Sequence, residues 1–166
     1  MDLDVVVREL APKLLGYCQL ETGDRSLAEE IAQDALSALV QRWRRYGPPD
    51  SPAAFVFAIA RRRSARAMVR RRLWRPLEEA FGHRDGRANP EQAALRSDER
   101  ARVARALSRL RPPDRQVLLL LTVWELPMEQ AASTLRISLS AAKMRALRAR
   151  QRLRELLEEG NEHARG

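Results

Sequence analysis

Apolar residues along this chain recur at intervals of three or four positions, which is the period of an α-helix. Strict alternation of apolar and polar residues, as in half-buried strands, is hard to find, and only seven glycines occur among the 166 residues. Because one apolar stripe lets a helix bury itself against its neighbours, the pattern predicts an all-α fold.

Proline- and glycine-rich segments indicate where the helices end. The clearest are GPPDSP at 47–52, RDGRANP at 84–90 and RPPD at 111–114. Apolar residues are scattered between about 76 and 98, so we predict two small helical domains joined by a flexible linker. The predicted boundaries are a first domain at 1–75, a linker at 76–99, a second domain at 100–158 and a tail at 159–166. A single helical bundle with one long loop is the alternative.

The chain is strongly basic, with 31 Lys and Arg residues against 22 Asp and Glu, a formal net charge of +9 and a pI of about 11.1. All but two of the basic residues are arginine. Since 45% of the residues are apolar, the composition excludes a disordered basic tail. A polyanion such as nucleic acid is therefore the first partner to expect.

Several other classes of protein are excluded. The single cysteine, Cys18, rules out a disulfide scaffold and a cysteine zinc site, and no stretch approaches the roughly 20 apolar residues that span a bilayer. Residues 1–10 lack the apolar core of a signal peptide. His83 and His163 have no nucleophile or carboxylate arrangement nearby, so we expect no catalysis, no metal and no cofactor. The chain is predicted to be soluble and cytoplasmic, without membrane insertion.

A polar face is predicted on the helix that begins near residue 26. Ser26 followed by Glu29 forms a capping-box pattern, in which the serine hydroxyl accepts from the Glu29 backbone N–H. Further along, Glu30, Gln33 and Asp34 share one face at three- and four-residue spacing. Such a face is ordinarily just solvated, and the alternative is a docking surface for a basic partner.

Between residues 61 and 75 the chain carries eight arginines and no acidic residue. Their mutual repulsion is costly unless a polyanion neutralises it, and each phosphate contact releases a counterion. The run therefore predicts a nucleic-acid contact, with a solvated arginine face and membrane-surface binding as alternatives. Its first four members are Arg61, Arg62, Arg63 and Arg66.

A helix-turn-helix motif is predicted between 126 and 150. Pro127 is placed to start a short helix, because its missing N–H is harmless there. Arg136 and Ile137 fit a tight turn, and Ser138 is a good N-cap for a longer second helix.

The second helix of this motif is basic and slim. Alanines at 141, 142, 146 and 149 suit insertion into a DNA major groove, which is about 12 Å wide. Ser140, Lys143 and Met144 then meet base edges, while flanking arginines hold phosphates. An amphipathic helix with a charged outer side is the alternative.

Over about residues 10–155 the chain resembles the extracytoplasmic-function (ECF) class of bacterial RNA polymerase sigma factors. The matching segments are TGDRSLAEEIAQDAL at 22–36, SPAAFVFAIARRR at 51–63, NPEQAALRSDE at 89–99, ALSRLRPPDRQVLLLL at 106–121 and LPMEQAASTLRISLSAAKMRALRAR at 126–150. Their ordered combination is far more specific than a lone helix-turn-helix.

The resemblance implies a promoter-specificity subunit that docks on a coiled coil of the largest polymerase subunit, reads the −35 element and melts the −10 element. The implied sites are Glu30, Gln33 and Asp34 for polymerase, Arg61, Arg62, Arg63 and Arg66 for the −10 element, and Lys143, Met144, Leu147 and Arg148 for the −35 element, to which the helix-turn-helix pattern adds Ser140. Core polymerase, promoter DNA and an anti-sigma factor are the implied partners. A stand-alone helix-turn-helix regulator and an arginine-rich enzyme are the alternatives.

Some positions depart from the family pattern. Arg62 replaces the usual asparagine, Arg66 an aspartate, Leu121 an arginine and Arg136 a glycine in the turn. We expect Arg136 to cost about 1 kcal/mol if its backbone is left-handed. The departures are expected to alter the promoter sequence that is recognised more than the role of the chain.

Overall fold

The structure, a computed structural model, describes the backbone of residues 2–81 and 97–163 and the side chains of residues 2–71 and 99–160. These parts form seven α-helices and contain no strand. The chain divides into two compact units, residues 1–90 and 91–166. The predicted all-α fold with two small domains is therefore confirmed, and the single-bundle alternative is wrong. The predicted linker lies largely outside the described residues.

The first unit consists of the three helices α1 (Leu3–Thr22), α2 (Arg25–Tyr46) and α3 (Pro52–Phe81). Each packs against the other two. Large apolar side chains from all three form the core, in which the ring centroids of Tyr17 and Phe57 lie 4.7 Å apart. The helix α3 continues beyond residue 75, where the first domain was expected to end.

The N-cap of α2 is Asp24, and the predicted Ser26 cap is wrong. Gly23 ends α1 in a left-handed conformation with φ of 64°, so α2 starts at once after Asp24. The Asp24 carboxylate accepts from the Leu27 backbone N–H at 3.0 Å. Glu29, the other half of the predicted capping box, instead accepts from the Arg25 guanidinium at 2.8 Å.

The second unit consists of α4 (Ser97–Ser108), α5 (Pro112–Thr122), α6 (Met128–Leu135) and α7 (Leu139–His163). The helix α7 packs against the other three and thus organises the unit. Pro112 and Pro113 are the first residues of α5, so the predicted break falls just before them.

The alanines of α7 face the core more than the solvent. Ala142, Ala146 and Ala149 are each at most 1% exposed, whereas Ala141 is partly exposed. For these three residues, the prediction that small side chains prepare the helix for a DNA groove is wrong. They instead allow α7 to pack closely on its neighbours, because a small side chain shortens the distance between helix axes.

Arg115 is an arginine of the second unit that stabilises its fold. Its side chain is buried, and Nη1 lies 3.2–3.4 Å from the carbonyl oxygens of Leu107, Ser108 and Leu110. Carbonyls at the end of a helix lack intrahelical partners, so this guanidinium satisfies the C-terminal end of α4. It is thereby removed from the residues that could contact DNA.

The predicted helix-turn-helix is present as α6, a tight turn and α7. Arg136 ends α6 in the left-handed region, with φ of 55° and ψ of 46°. The Ser138 hydroxyl accepts from the Ala141 backbone N–H at 3.1 Å, which confirms the predicted N-cap of α7. Pro127 is the N-cap of α6 rather than its first residue.

Candidate nucleic-acid interface and docking face

One exposed face of α7 combines cationic and apolar side chains. Lys143, Met144, Leu147 and Arg148 are all exposed and recur at helical spacing, with Ser140 one turn before them. Met144 and Leu147 are 52% and 58% exposed, so two neighbouring large apolar side chains on this face are open to solvent. The structure therefore brings together all five residues predicted for the −35 element.

Arg148 is held by a carboxylate from a different helix. Its Nη2 lies 3.1 Å from Oδ1 of Asp114, in the first turn of α5. The Asp114 side chain is only 10% exposed, whereas that of Arg148 is 52% exposed. Asp114 is not among the residues predicted from the sequence, because 34 residues separate it from its partner. The position of Asp114 directly after two prolines indicates the start of a helix and does not indicate a DNA contact.

The arginines of α3 do not form a single surface. Arg62, Arg63 and Arg66 are exposed, while Arg61 is half-buried. Arg71 turns towards the junction of α1 and α2, where it donates to the Thr22 carbonyl at 3.3 Å and to the Asp24 carboxylate at 3.4 Å. Between residues 61 and 71 the run therefore contains arginines available to a nucleic acid and an arginine that holds the unit together, while the side chains of Arg72 and Arg75 lie outside the described residues.

The three residues predicted for polymerase docking share one face of α2 but have different neighbours. Glu30 and Gln33 are exposed, but Asp34 forms an ion pair with Arg63 of α3. Gln33 lines a groove of about 560 Å³ between α1 and α2, which also contains the apolar side chains of Leu15 and Leu36. The face is thus an acidic ridge beside an apolar groove rather than a uniform acidic patch.

Tyr46 is a candidate contact that the sequence analysis did not single out. It is the last residue of α2 and is 65% exposed. The guanidinium carbons of Arg42 and Arg45 lie 5.1 and 5.2 Å from its ring centroid, within the range of a cation–π contact. Arg42 also donates to the Gly47 carbonyl at 2.8 Å, which fixes the start of the loop that follows. In the sequence, two arginines directly before Tyr46 and the Gly-Pro-Pro turn directly after it could have indicated a nucleic-acid contact at this position.

Cys18 is completely buried, and its burial raises the pKa of the thiol to about 12. At neutral pH the group therefore stays protonated and is a poor nucleophile.

Within residues 2–71 and 99–160, no group of three or more His, Cys, Asp and Glu side chains is placed to hold a metal ion. None of the helices described here has the length and apolar character needed to cross a bilayer.

Two helical units, of which the second carries a basic helix-turn-helix with an exposed α7 face, define a DNA-binding transcription protein. Models of two protein families match the same two parts of the chain. Sigma-70 region 2 matches residues 6–75, and sigma-70 region 4 matches residues 100–153.

Curated relatives match the chain over more than four fifths of their own length. The chain is 32% identical over 159 residues to the ECF RNA polymerase sigma factor ShbA of Streptomyces griseus, covering 89% of this chain and 83% of ShbA. It is 30% identical over 151 residues to the ECF RNA polymerase sigma factor RpoE of Cereibacter sphaeroides, with 89% and 82% covered. The RNA polymerase sigma factor CarQ of Myxococcus xanthus is 28% identical over 152 residues, with 90% and 85% covered.

Solved structures agree on the fold. The sigma factor RpoE of Bartonella quintana, crystallised with the anti-sigma factor NepR, aligns with a TM-score of 0.70 at 23% identity, covering 90% of this chain and 92% of that one. CnrH, solved with the cytosolic domain of CnrY, aligns with a TM-score of 0.64 at 23% identity, with 95% and 88% covered.

The chain belongs to the ECF class of RNA polymerase sigma factors. Core RNA polymerase and promoter DNA are therefore its partners, and its role is promoter-specific initiation of transcription. The predicted family and function are confirmed, and a stand-alone regulator is not favoured.

Proposed function

We propose that the second unit recognises the −35 element through the exposed face of α7, while the first unit docks on polymerase and holds the melted −10 element. The observation that carries this proposal is the α7 face itself, on which Lys143 and Arg148 flank the exposed apolar side chains of Met144 and Leu147. A face of this kind can contact phosphates, base edges and thymine methyl groups at once.

For the −10 element, the proposed contacts are an aromatic platform and cations beside it. A melted base stacks on an exposed ring, and Tyr46 offers one at the end of α2. Arg62 and Arg66 lie exposed on α3 and would neutralise phosphates of the separated strand. Arg61 and Arg63 belong to the same proposed set, although Arg63 must first leave its ion pair with Asp34.

For docking on core polymerase, the proposed surface is the ridge of Glu30, Gln33 and Asp34 together with the groove beside it. Its carboxylates suit a basic partner, and the apolar groove between α1 and α2 suits an apolar side chain from the same partner. Since the polymerase carries out RNA synthesis, this chain is proposed to contribute no catalytic group and to act in the cytoplasm. An anti-sigma factor is proposed as a further partner, as in the solved complex of RpoE with the anti-sigma factor NepR.

In vitro transcription with core polymerase on a library of genomic fragments tests the assignment. The wild-type chain should select a set of promoters that share two sequence elements, and Leu147→Ala with Met144→Ala should alter the preferred −35 sequence without removing polymerase binding. As a matched control, Val5→Ala trims an exposed apolar residue of the first unit and should leave the selection unchanged. Selection of the same −35 sequence by the α7 variant would contradict the proposal.

A further inference from the structure

The contact between Asp114 and Arg148 determines which N–H groups of Arg148 are left to contact DNA. One carboxylate oxygen occupies an N–H of the guanidinium at Nη2, 3.1 Å away. An arginine side chain carries five N–H donors, of which a guanine needs two on its O6 and N7 acceptors. Because half of the Arg148 side chain stays exposed, donors remain for a base after the ion pair has formed.

We propose that Asp114 is a positioning residue that makes Arg148 a reader of base edges rather than a phosphate anchor. The proposal rests on the proposed role of the α7 face in −35 recognition. It assigns to Arg148 a guanine of the −35 element, because guanine is the base whose major-groove edge takes the arginine fork.

The Asp114 carboxylate affects the contact of Arg148 with a phosphate and its contact with guanine differently. A phosphate brought next to Arg148 also comes close to the Asp114 carboxylate, and the two negative charges repel each other. Guanine presents neutral acceptors, so it avoids most of this repulsion. The carboxylate therefore lowers the affinity of Arg148 for the DNA backbone more than its affinity for the base.

The ion pair also restricts the rotamers of the Arg148 side chain before DNA binds. A free arginine side chain loses rotamer entropy when it forms a base contact, and a held guanidinium has already lost part of it. Asp114 is suited to holding the Arg148 guanidinium because its own side chain is nearly buried on α5, a helix that packs against α7. Arg152 makes a useful comparison, since its partners Glu155 and Glu159 are about half exposed and their attraction is screened by solvent.

The test compares Asp114→Asn, which keeps the size and helix-start position of the residue, with Arg148→Ala and with the wild-type chain. Each is assembled with core polymerase, and −35 sequences are selected from a library randomised in that element. Glu158→Gln is the matched control, because it removes one exposed negative charge at the far end of α7. Binding to selected and scrambled −35 duplexes is then measured over a range of salt concentrations.

We expect Asp114→Asn to lower the preference for guanine at one position about tenfold, which is within the range of a lost bidentate contact. Binding to scrambled DNA should stay the same or tighten, and its salt dependence should steepen by up to about one counterion as Arg148 gains a phosphate. Asp114→Asn should add nothing in an Arg148→Ala background, and Glu158→Gln should behave as wild type.

An unchanged base preference in Asp114→Asn, with that preference lost in Arg148→Ala, would overturn the positioning role and leave the proposed function standing. Unchanged −35 selectivity in both Arg148→Ala and the Met144 and Leu147 variant would overturn the proposed function and the positioning role together. Thermal unfolding of each variant is measured alongside. If Asp114→Asn unfolds at a lower temperature than the wild-type chain, Asp114→Glu replaces it in the test. The longer side chain of this variant displaces the carboxylate, so the guanine preference should weaken while scrambled DNA binds as in wild type. An intact guanine preference in Asp114→Glu would count against the positioning role.

Discussion

Asp34 of α2 and Arg63 of α3 form an ion pair, so one residue proposed for polymerase docking and one proposed for −10 contact are partners in the free chain. Their side chains are 39% and 48% exposed. An exposed pair of this kind contributes at most about 1 kcal/mol, so binding of either macromolecule can separate it at low cost. The proposed docking face and the proposed DNA face of the first unit are therefore adjacent, and this ion pair joins them.

A double-mutant cycle measures that pair. Asp34→Ala, Arg63→Ala and the double variant are unfolded in urea, and we expect a coupling free energy below about 1 kcal/mol at low salt that falls towards zero near 1 M salt. The physical reason is that water and ions screen both groups. A coupling free energy of several kcal/mol that does not change with salt concentration would show instead that the pair stabilises the fold strongly.

Charge reversal on the acidic ridge should weaken polymerase binding. Because Asp34 already neutralises Arg63, the cleaner variant is Glu30→Lys with Gln33→Lys, which leaves the ion pair in place. Like charges brought together at an interface cost several kcal/mol, so we expect at least a tenfold loss in competition with the wild-type chain for core polymerase. Glu9→Lys, a charge reversal on an exposed residue of α1, is the control and should compete normally. Equal competition by both variants would place docking elsewhere.

Tyr46 should matter for the melted −10 strand and little for duplex DNA. Tyr46→Ala removes the exposed ring, and stacking of one base on an aromatic side chain contributes about 1–3 kcal/mol. Tyr46→Phe keeps the ring and serves as the control. Permanganate footprinting of the −10 region should show weaker opening with Tyr46→Ala and normal opening with Tyr46→Phe. Normal opening with both variants would exclude the stacking role.

The pKa of Cys18, raised to about 12 by burial, predicts a loss of stability at high pH. In the unfolded chain the thiol has its ordinary pKa of 9.0, so between pH 9 and pH 12 the native state binds more protons than the unfolded state. The stability that Cys18 contributes is thus complete below pH 9 and is lost as the pH rises towards 12. Urea unfolding at several pH values checks this, with Cys18→Ala as the control that lacks this dependence. Iodoacetamide should label Cys18 only when the chain unfolds, and rapid labelling of the native chain at neutral pH would contradict the burial.

Local features of this fold could be predicted from the sequence, whereas contacts between helices could not. The Ser138 cap and the Arg136 turn depend on residues within a few positions, which is the range that cap chemistry covers. The Ser26 cap failed although it is local, because a second acceptor, Asp24, stands two residues earlier directly after the end of α1. The residues proposed for the sites came from the family resemblance together with the helical pattern.

The two ion pairs that matter most for the sites were not predictable in this way. Asp34 and Arg63 are 29 residues apart, and Asp114 and Arg148 are 34 apart. Whether such residues meet depends on how two helices pack and rotate against each other, and helical periodicity identifies only the buried face of each. The same limit explains why the buried role of Arg115 was missed in a chain with so many arginines.

Replacing Arg136 by glycine should stabilise the second unit. Its φ of 55° and ψ of 46° lie in the left-handed region, where a residue with a Cβ is about 1 kcal/mol less favourable than glycine. Arg136→Ala is the matched control, because it removes the same exposed charge and keeps the Cβ. Hydrogen exchange of the α6 and α7 amides, which reports local unfolding, should therefore be slower in Arg136→Gly than in Arg136→Ala by about fivefold, the equivalent of about 1 kcal/mol. Equal exchange in the two variants would mean that the turn carries no strain and that the family's usual glycine serves another purpose there.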